Sequence, residues 1–191
     1  QSDISPLLEC HDSCSCVATG CKNRIVQFGV KMALEVRESG RKGVGLFTKE
    51  GVERGRFVCE YAGEMIGREE VEKRREEEGR ERRHNYVLTV KEHFAESSST
   101  WFIDPSRRGN LGRFINHSCN PNLDVVPLRI GSIAPVVGLF TNRAIESGEE
   151  LCYDYGESIL VEGEGGEGRK ECLCGSEECR RFLPLSNTAS E

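Results

Sequence analysis

Ten cysteines are spread unevenly along 191 residues, and their spacing limits what the chain can fold into. Cys10, Cys14, Cys16 and Cys21 crowd the start, Cys172, Cys174 and Cys179 crowd the end, and Cys59, Cys119 and Cys152 stand alone between. The share is about 5%, below the roughly 8–10% of a small disulfide scaffold. The opening QSDISPLLEC has neither the basic nor the apolar region of a secretory signal, although a chain that does not start with Met can have lost such a segment. Clustered cysteines then read first as metal ligands, with disulfides as the alternative. Thiolates hold Zn2+ tetrahedrally, and closely spaced ligands close such a site at low entropic cost. Cys172-Leu173-Cys174-x4-Cys179 supplies three corners of a tetrahedron, so the fourth must come from elsewhere. Cys119 is one candidate, and it would clip the C-terminal tail over the Asn116-His117 turn. Cys59 and Cys152 lie in apolar strand-like runs and read as buried free thiols.

The length suits one domain with small appendages and a real core. Lys plus Arg is 26 and Asp plus Glu is 32, a formal net charge of −6. That argues against general nucleic-acid binding, which draws on an excess of basic residues. It suits a basic partner such as a Lys/Arg-rich peptide tail. No apolar run approaches the roughly 18 residues of a membrane span.

Short β-rich runs fill the middle of the chain: ALEVRE (33–38), VGLFTK (44–49), RFVCEYAG (56–63), YVLTV (86–90), WFID (101–104), DVVPLRI (124–130) and VVGLF (136–140). Gly, Pro, Asn and Ser punctuate them, which predicts many short strands rather than βαβ units. Residues 68–83, REEVEKRREEEGRERR, predict a charged helix. Glu69–Lys73, Glu70–Arg74, Glu76–Arg80 and Glu78–Arg82 are i,i+4 pairs in the favourable order, and a solvated face is expected. A second short helix is expected near 109–115. Residues 1–32 form an N-terminal cysteine segment, 33–157 the main domain, 158–171 a Gly/Glu-rich flexible linker, and 172–191 a cysteine segment and tail.

Several motifs carry candidate chemistry. Lys42-Gly43-Val44-Gly45 precedes a strand, and its glycines let backbone approach a ligand or simply make a turn. Arg113-Phe-Ile-Asn116-His117-Ser118-Cys119-Asn-Pro-Asn122 offers a Cys/His pair, or a hydrogen-bonded turn. In Glu149-Glu150-Leu151-Cys152-Tyr153-Asp154-Tyr155-Gly156, an extended chain would put Leu151, Tyr153 and Tyr155 on one face. Tyr61, in Glu60-Tyr61-Ala62-Gly63-Glu64, is a further aromatic in a strand-like run, and core packing competes with a functional role for each tyrosine.

These motifs occur together and in order in one known family. The Gly43-Val44-Gly45 turn, EYAGE (60–64), NY (85–86), FIDPSRRGNLGRFINHSCNPN (102–122), ELCYDYG (150–156) and CLCGSEEC (172–179) resemble the SET-domain protein lysine methyltransferases. The likeness is to the subgroup with cysteine-rich segments before and after the SET domain. It covers roughly residues 10–183 and is most specific over 102–122. It implies a mainly β (α+β) chain: a SET-domain fold of several small β-sheets with a knot-like crossing, flanked by cysteine-rich zinc segments. In that crossing NHSC and ELCYDY lie side by side.

The resemblance also implies S-adenosylmethionine as cofactor, leaving S-adenosylhomocysteine. Lys42, Gly43 and Val44 would hold it through backbone groups, with Tyr86, Arg113, Asn116 and His117 completing the pocket. Phe182 and Leu183 would cover the adenine side. Tyr155 is similar to the family's catalytic tyrosine, while Tyr61 and Tyr153 would line the lysine channel. Zn2+ would be held by Cys119, Cys172, Cys174 and Cys179, and Cys10, Cys14, Cys16 and Cys21 are similar to the last four of the nine cysteines that usually hold three zincs in the preceding segment. Tyr153 stands at the family's Phe/Tyr switch position, which implies mainly mono- and dimethylation. The implied substrate is a histone tail, that of histone H3, in the nucleus at chromatin, acted on by a monomer without direct nucleic-acid or membrane contact. The competing reading is a catalytically weak or inactive SET-like module that binds peptide or protein partners. Val44, where the family often has a larger residue, and the partial N-terminal cysteine set lean that way, whereas the intact Asn116-His117, Tyr155 and CxCx4C favour the enzyme.

Overall fold

The computed structural model describes residues 7–81, 86–93, 97–156 and 170–184. They form β1 (Leu7–Glu9), β2 (Leu34–Glu38), β3 (Val44–Thr48), β4 (Phe57–Glu60), β5 (Glu64–Ile66), α1 (Arg68–Glu81), β6 (Leu88–His93), β7 (Ser98–Asp104), β8 (Asn116–His117), β9 (Leu123–Ile130), β10 (Val136–Thr141) and β11 (Cys152–Tyr153). Short strands with α1 as the one α-helix among the described residues match the mainly β expectation. None of the described helices is long and apolar enough to cross a membrane. Two compact units interleave in sequence. The first takes Gln1–Lys31, Phe57–Arg113 and Val125–Phe140, and the second takes Met32–Arg56, Phe114–Asp124 and Thr141–Glu191.

In the first unit, β5, β7 and β6 make an antiparallel sheet, with Glu64 opposite Asp104 and Leu88 opposite Ile103. β4 runs antiparallel to β10, with a register shift at Leu139/Phe140, and β10 lies beside β9. β1 adds to β9 in parallel, Leu7 opposite Leu128, a strand that the cysteine-rich start did not announce. Val58, Cys59, Val137 and Leu139 are wholly buried here. Each buried side chain of that size contributes about 1.5–3 kcal/mol.

The charged helix forms, but not as an all-solvated face. Val71 is buried and Arg74 is only 7% exposed. Arg74 reaches Glu70 at 2.7 Å, Glu64 at 3.0 Å and Asp104 at 2.6 Å, and Asp104 is itself wholly buried. A guanidinium this deep requires such partners, because an unpaired buried charge is very costly. The end of the predicted helix at 82–83 lies outside the described residues. The short helix expected near 109–115 is a single 3-10 turn, Leu111–Phe114. A Cβ at Gly112 would come within 2.9 Å of the Glu60 carbonyl, so the close approach there needs glycine. The expected linker lies outside the described residues up to residue 169.

In the second unit, β2 and β3 form a hairpin from Leu34 opposite Thr48 to Glu38 opposite Val44. The segment 149–151 runs along β3: the Leu151 N–H donates to the Leu46 carbonyl at 2.8 Å, and Phe47 bridges Glu150. β11 pairs in parallel with β8, placing Cys152 opposite Asn116 and Tyr153 opposite His117. Tyr153 also pairs with Leu123, the first residue of β9. NHSC and ELCYDY therefore lie side by side. Leu46, Ile115, Leu123 and Leu151 fill the interior beneath them.

Candidate active site

In the second unit a tight turn precedes β3. The Ser39 N–H donates to the Gly43 carbonyl at 2.6 Å, and the Gly43 N–H donates to the Gly40 carbonyl at 3.1 Å. Gly43 has φ +84°, a conformation that a side chain disfavours. One carboxylate organises this turn. Glu150 accepts from Ser39 Oγ at 2.8 Å, from Asn116 Nδ2 at 2.8 Å and from Lys42 Nζ. Asn116 Nδ2 also donates to the Val44 carbonyl at 3.1 Å. Burial opposes ionisation of Glu150, but hydrogen bonds from Lys42, Asn116 and Ser39 outweigh it and hold the carboxyl below its usual range. A Cβ at Gly45 would meet Glu150 Oε1 at 2.6 Å, so glycine there makes room for the carboxylate. Lys42, Gly43, Val44 and Asn116 are thus brought together. Sequence reasoning did not single out Glu150, since a Glu-Glu pair after Ser-Gly reads as surface.

Tyr155 sits beyond the end of β11. Its N–H donates to His117 Nδ1 at 3.2 Å and its hydroxyl donates to the Ile115 carbonyl at 2.8 Å. Its ring centroid lies 4.7 Å from that of Tyr153 and 5.3 Å from that of His117. Tyr153 is 4% exposed and Tyr155 39%. The two tyrosines differ because the ladder stops at Tyr153, so strict alternation is not carried on. His117 is buried, which lowers its pKa, with nearby Asp154 opposing this and Arg180 adding to it. Nδ1 accepts from Tyr155, so the ring proton sits on Nε2, which faces Cys119 Sγ at 3.3 Å.

Cys119 does not stand alone with that histidine. Its Sγ and those of Cys172, Cys174 and Cys179 all lie within 4.8 Å of one another, and Cys119 and Cys172 are 3.8 Å apart. A tetrahedron with Zn–S bonds of about 2.3 Å has edges of about 3.8 Å, so the donor set fits one Zn2+. Burial opposes ionisation of Cys174, yet the Ser176 hydroxyl and backbone N–H groups outweigh it and bring the thiol down to about 6. Beyond the thiols, Phe182 bridges Glu171, and the Leu183 N–H donates to the Lys170 carbonyl at 2.9 Å.

The remaining candidates lie in the first unit. Buried Tyr61 donates its hydroxyl to the Tyr86 carbonyl at 2.6 Å, and the Arg113 guanidinium stands 4.7 Å from the Tyr86 ring centroid. Arg113 also donates to the Ser106 carbonyl at 3.5 Å. Cys10, Cys16 and Cys21 bring their sulfurs together, but Cys14 is outside that group and its Sγ accepts from the His11 N–H at 3.3 Å. None of the ten cysteines is joined in a disulfide. Cys59 and Cys152 are buried, and burial pushes both up to about 12.

Residues 43–156 match the model of the SET domain. A Caenorhabditis elegans protein named Probable histone-lysine N-methyltransferase set-23 is 48% identical over 97% of this chain and 75% of its own length. The chain belongs to the SET-domain family of histone-lysine N-methyltransferases. The crystal structure of the methyltransferase domain of human SETMAR superposes on it with a TM-score of 0.84 at 39% identity, covering 97% of this chain and 70% of that one. SUVH6 of Arabidopsis thaliana in complex with SAM superposes with a TM-score of 0.75 at 32% identity, over 94% of this chain and 38% of that one. The SET-domain match runs from the Gly43 turn through NHSC to ELCYDYG and stops before the Cys172–Cys179 thiols.

Proposed function

We propose that this chain transfers methyl groups from S-adenosylmethionine to a lysine of the histone H3 tail in nuclear chromatin, giving mainly mono- and dimethyl-lysine. The carrying observation is Tyr155: its hydroxyl is fixed on the Ile115 carbonyl and its ring lies against Tyr153. A fixed phenol beside a second aromatic face is what a site that methylates an amine requires.

The cofactor fits the residues of the second unit. Both donor contacts of the Asn116 amide are spent on Val44 and Glu150, so its Oδ1 is oriented as an acceptor for an ammonium. Val44, 46% exposed, and Phe182, 36% exposed, offer apolar surface to a purine. When bound, the cofactor supplies a methyl group on a positively charged sulfonium. Lys42, Gly43 and Val44 bind through the backbone of the fixed turn, and His117 completes that side. Leu183 joins Phe182 on the adenine side. Tyr61, Tyr86 and Arg113 keep the channel-lining and cofactor roles that the family resemblance implies.

The attacking amine must be neutral. Desolvation beside buried Tyr153 and the nearby positive charge both lower its pKa. The faces of Tyr153 and Tyr155 stabilise the positive charge spread over the moving methyl. Tyr155 orients the amine but does not take its proton, since a phenol with a pKa of about 10 is a poor base at neutral pH; water carries the proton away. The Tyr153 hydroxyl holds a water that crowds further methyl groups. One Zn2+ on Cys119, Cys172, Cys174 and Cys179 supports this segment, and Cys10, Cys16 and Cys21 hold metal in the first unit. The net charge of −6 suits a basic tail.

The test is transfer from labelled S-adenosylmethionine to H3 peptides, each with one lysine replaced, with Tyr155→Phe and Asn116→Ala run beside the wild type. Transfer that disappears with one peptide lysine and with both variants is expected. A folded wild type that binds the cofactor but methylates no histone peptide would overturn the reading and leave a binding module. Tyr153→Phe is expected to shift products toward trimethyl-lysine, read by mass spectrometry; unchanged methyl states would remove Tyr153 as the switch.

A further inference from the structure

We propose that Arg180 is a positioning residue for Tyr155, an inference that rests on reading Tyr155 as catalytic. Arg180 follows the last cysteine of the thiol cluster and grips both sequence neighbours of Tyr155. Its NH2 donates to Asp154 Oδ1 at 2.5 Å and its NH1 donates to the Gly156 carbonyl at 3.3 Å. Its backbone N–H donates to Cys119 Sγ at 3.3 Å. The same sulfur faces His117 Nε2, and His117 Nδ1 accepts from the Tyr155 N–H. Two arms therefore run from one sulfur, one through an imidazole to the Tyr155 N–H and one through a guanidinium to the Asp154 carboxylate and the Gly156 carbonyl on either side of it.

The Tyr155 segment needs such arms. β11 ends at Tyr153, so residues 154–156 have no ladder to fix them. Gly156 has φ +119°, open to glycine alone, and gives no stiffness on that side. Within the segment there is the short-range bond from the Gly156 N–H to Asp154 Oδ1 at 3.1 Å. Arg180 turns this local loop into a fixed one with charge-assisted, directional hydrogen bonds. The backbone that aims Arg180 is held in turn: Arg181 is the one non-glycine residue with positive φ among those described, at 69°, and its carbonyl accepts from the Cys172 N–H at 2.7 Å. A costly conformation of this kind persists where its surroundings determine it.

The experiment compares Arg180→Ala, Arg180→Lys, Asp154→Asn and the Arg180→Ala/Asp154→Asn double variant with wild type and Tyr155→Phe. It reads kcat, KM for S-adenosylmethionine, cofactor affinity by calorimetry and zinc per chain. Arg180→Ala is expected to lower kcat by about ten-fold or more, the scale on which a misplaced reacting group is felt, with cofactor affinity and zinc content unchanged. Arg180→Lys should recover part of the loss. Asp154→Asn should fall similarly, and the double variant no further than the worse single one. Wild-type kcat in Arg180→Ala beside an inactive Tyr155→Phe overturns the positioning role and leaves Tyr155 in place. Full activity in Tyr155→Phe overturns the catalytic reading instead. Zinc lost together with kcat in Arg180→Ala, or multiplicative losses in the double variant, reduces Arg180 to a structural part of the thiol cluster and sinks the proposal.

Discussion

The two thiol clusters look alike in composition and differ in how they are tied into the chain. In the first unit Cys10, Cys16 and Cys21 come from one short stretch. In the second, Cys119 meets Cys172 across 53 residues of sequence. A tie within a short stretch organises that stretch alone, whereas a tie across a long one restrains everything enclosed, and its loop-closure cost must be met by binding. The enclosed segment here carries Glu150, Tyr153 and Tyr155. The lesson is that the sequence separation of a cluster's ligands, more than their number, decides how far its loss is felt.

The sharpest way to break this comparison is to remove one thiol from each cluster. Cys119→Ser should lose its metal and drop methyl transfer by about a hundred-fold or more, because metal binding there is also folding free energy. Cys16→Ser should leave transfer within about three-fold, since its loop is short. Equal losses, with metal per chain measured in both, would end the distinction.

Next in size is a tie of intermediate reach. Arg74 spans from Glu70, Glu64 and Asp104. Arg74→Met should cost about 3–5 kcal/mol in urea unfolding, because buried Asp104 loses its partner. A loss no greater than that of exposed Arg107→Met would make the network an ordinary surface feature.

The smallest expected effect belongs to Glu150, which ties Ser39 and Lys42 from more than 100 residues away without metal. Its folded pKa is held below its unfolded value of about 4.3. Its contribution is therefore present above that pH and lost as pH falls through the folded pKa. Glu150→Gln should lower Tm by about 3 °C at pH 7, and the gap to wild type should close toward pH 3. A gap that stays constant with pH would show that charge on Glu150 does not hold the turn.

Most strands were legible because their short β-rich runs had turn residues on both sides, as at β4, β7 and β10. β8 and β11 were not legible from pattern, because two residues have no periodicity; their neighbourhood was expected only through the family resemblance. Arg74 was hidden because a helix of alternating charges reads as solvated, and nothing local tells which arginine faces Asp104. Glu150 and Arg180 were hidden for a related reason. Each is an ordinary charged residue whose partners lie 24 or more positions away, beyond the reach of any local pattern. Glycine spacing and tyrosine alternation marked where chemistry is concentrated. The polar ties that aim those groups became visible only in three dimensions.

The parallel pairing of β8 with β11 has a consequence for the order of folding events. Two strands of two residues each cannot persist separately, and parallel neighbours require a long crossover between them. The contact between residues 116–117 and 152–153 is thus high in contact order, the kind of pairing that has a long loop to close before it forms. Opening that contact separates Asn116 and His117 from the strand that carries Tyr153. Hydrogen exchange at Tyr153, inside the ladder, is expected to track global opening, and exchange at Tyr155, beyond its end, to report local release of the segment.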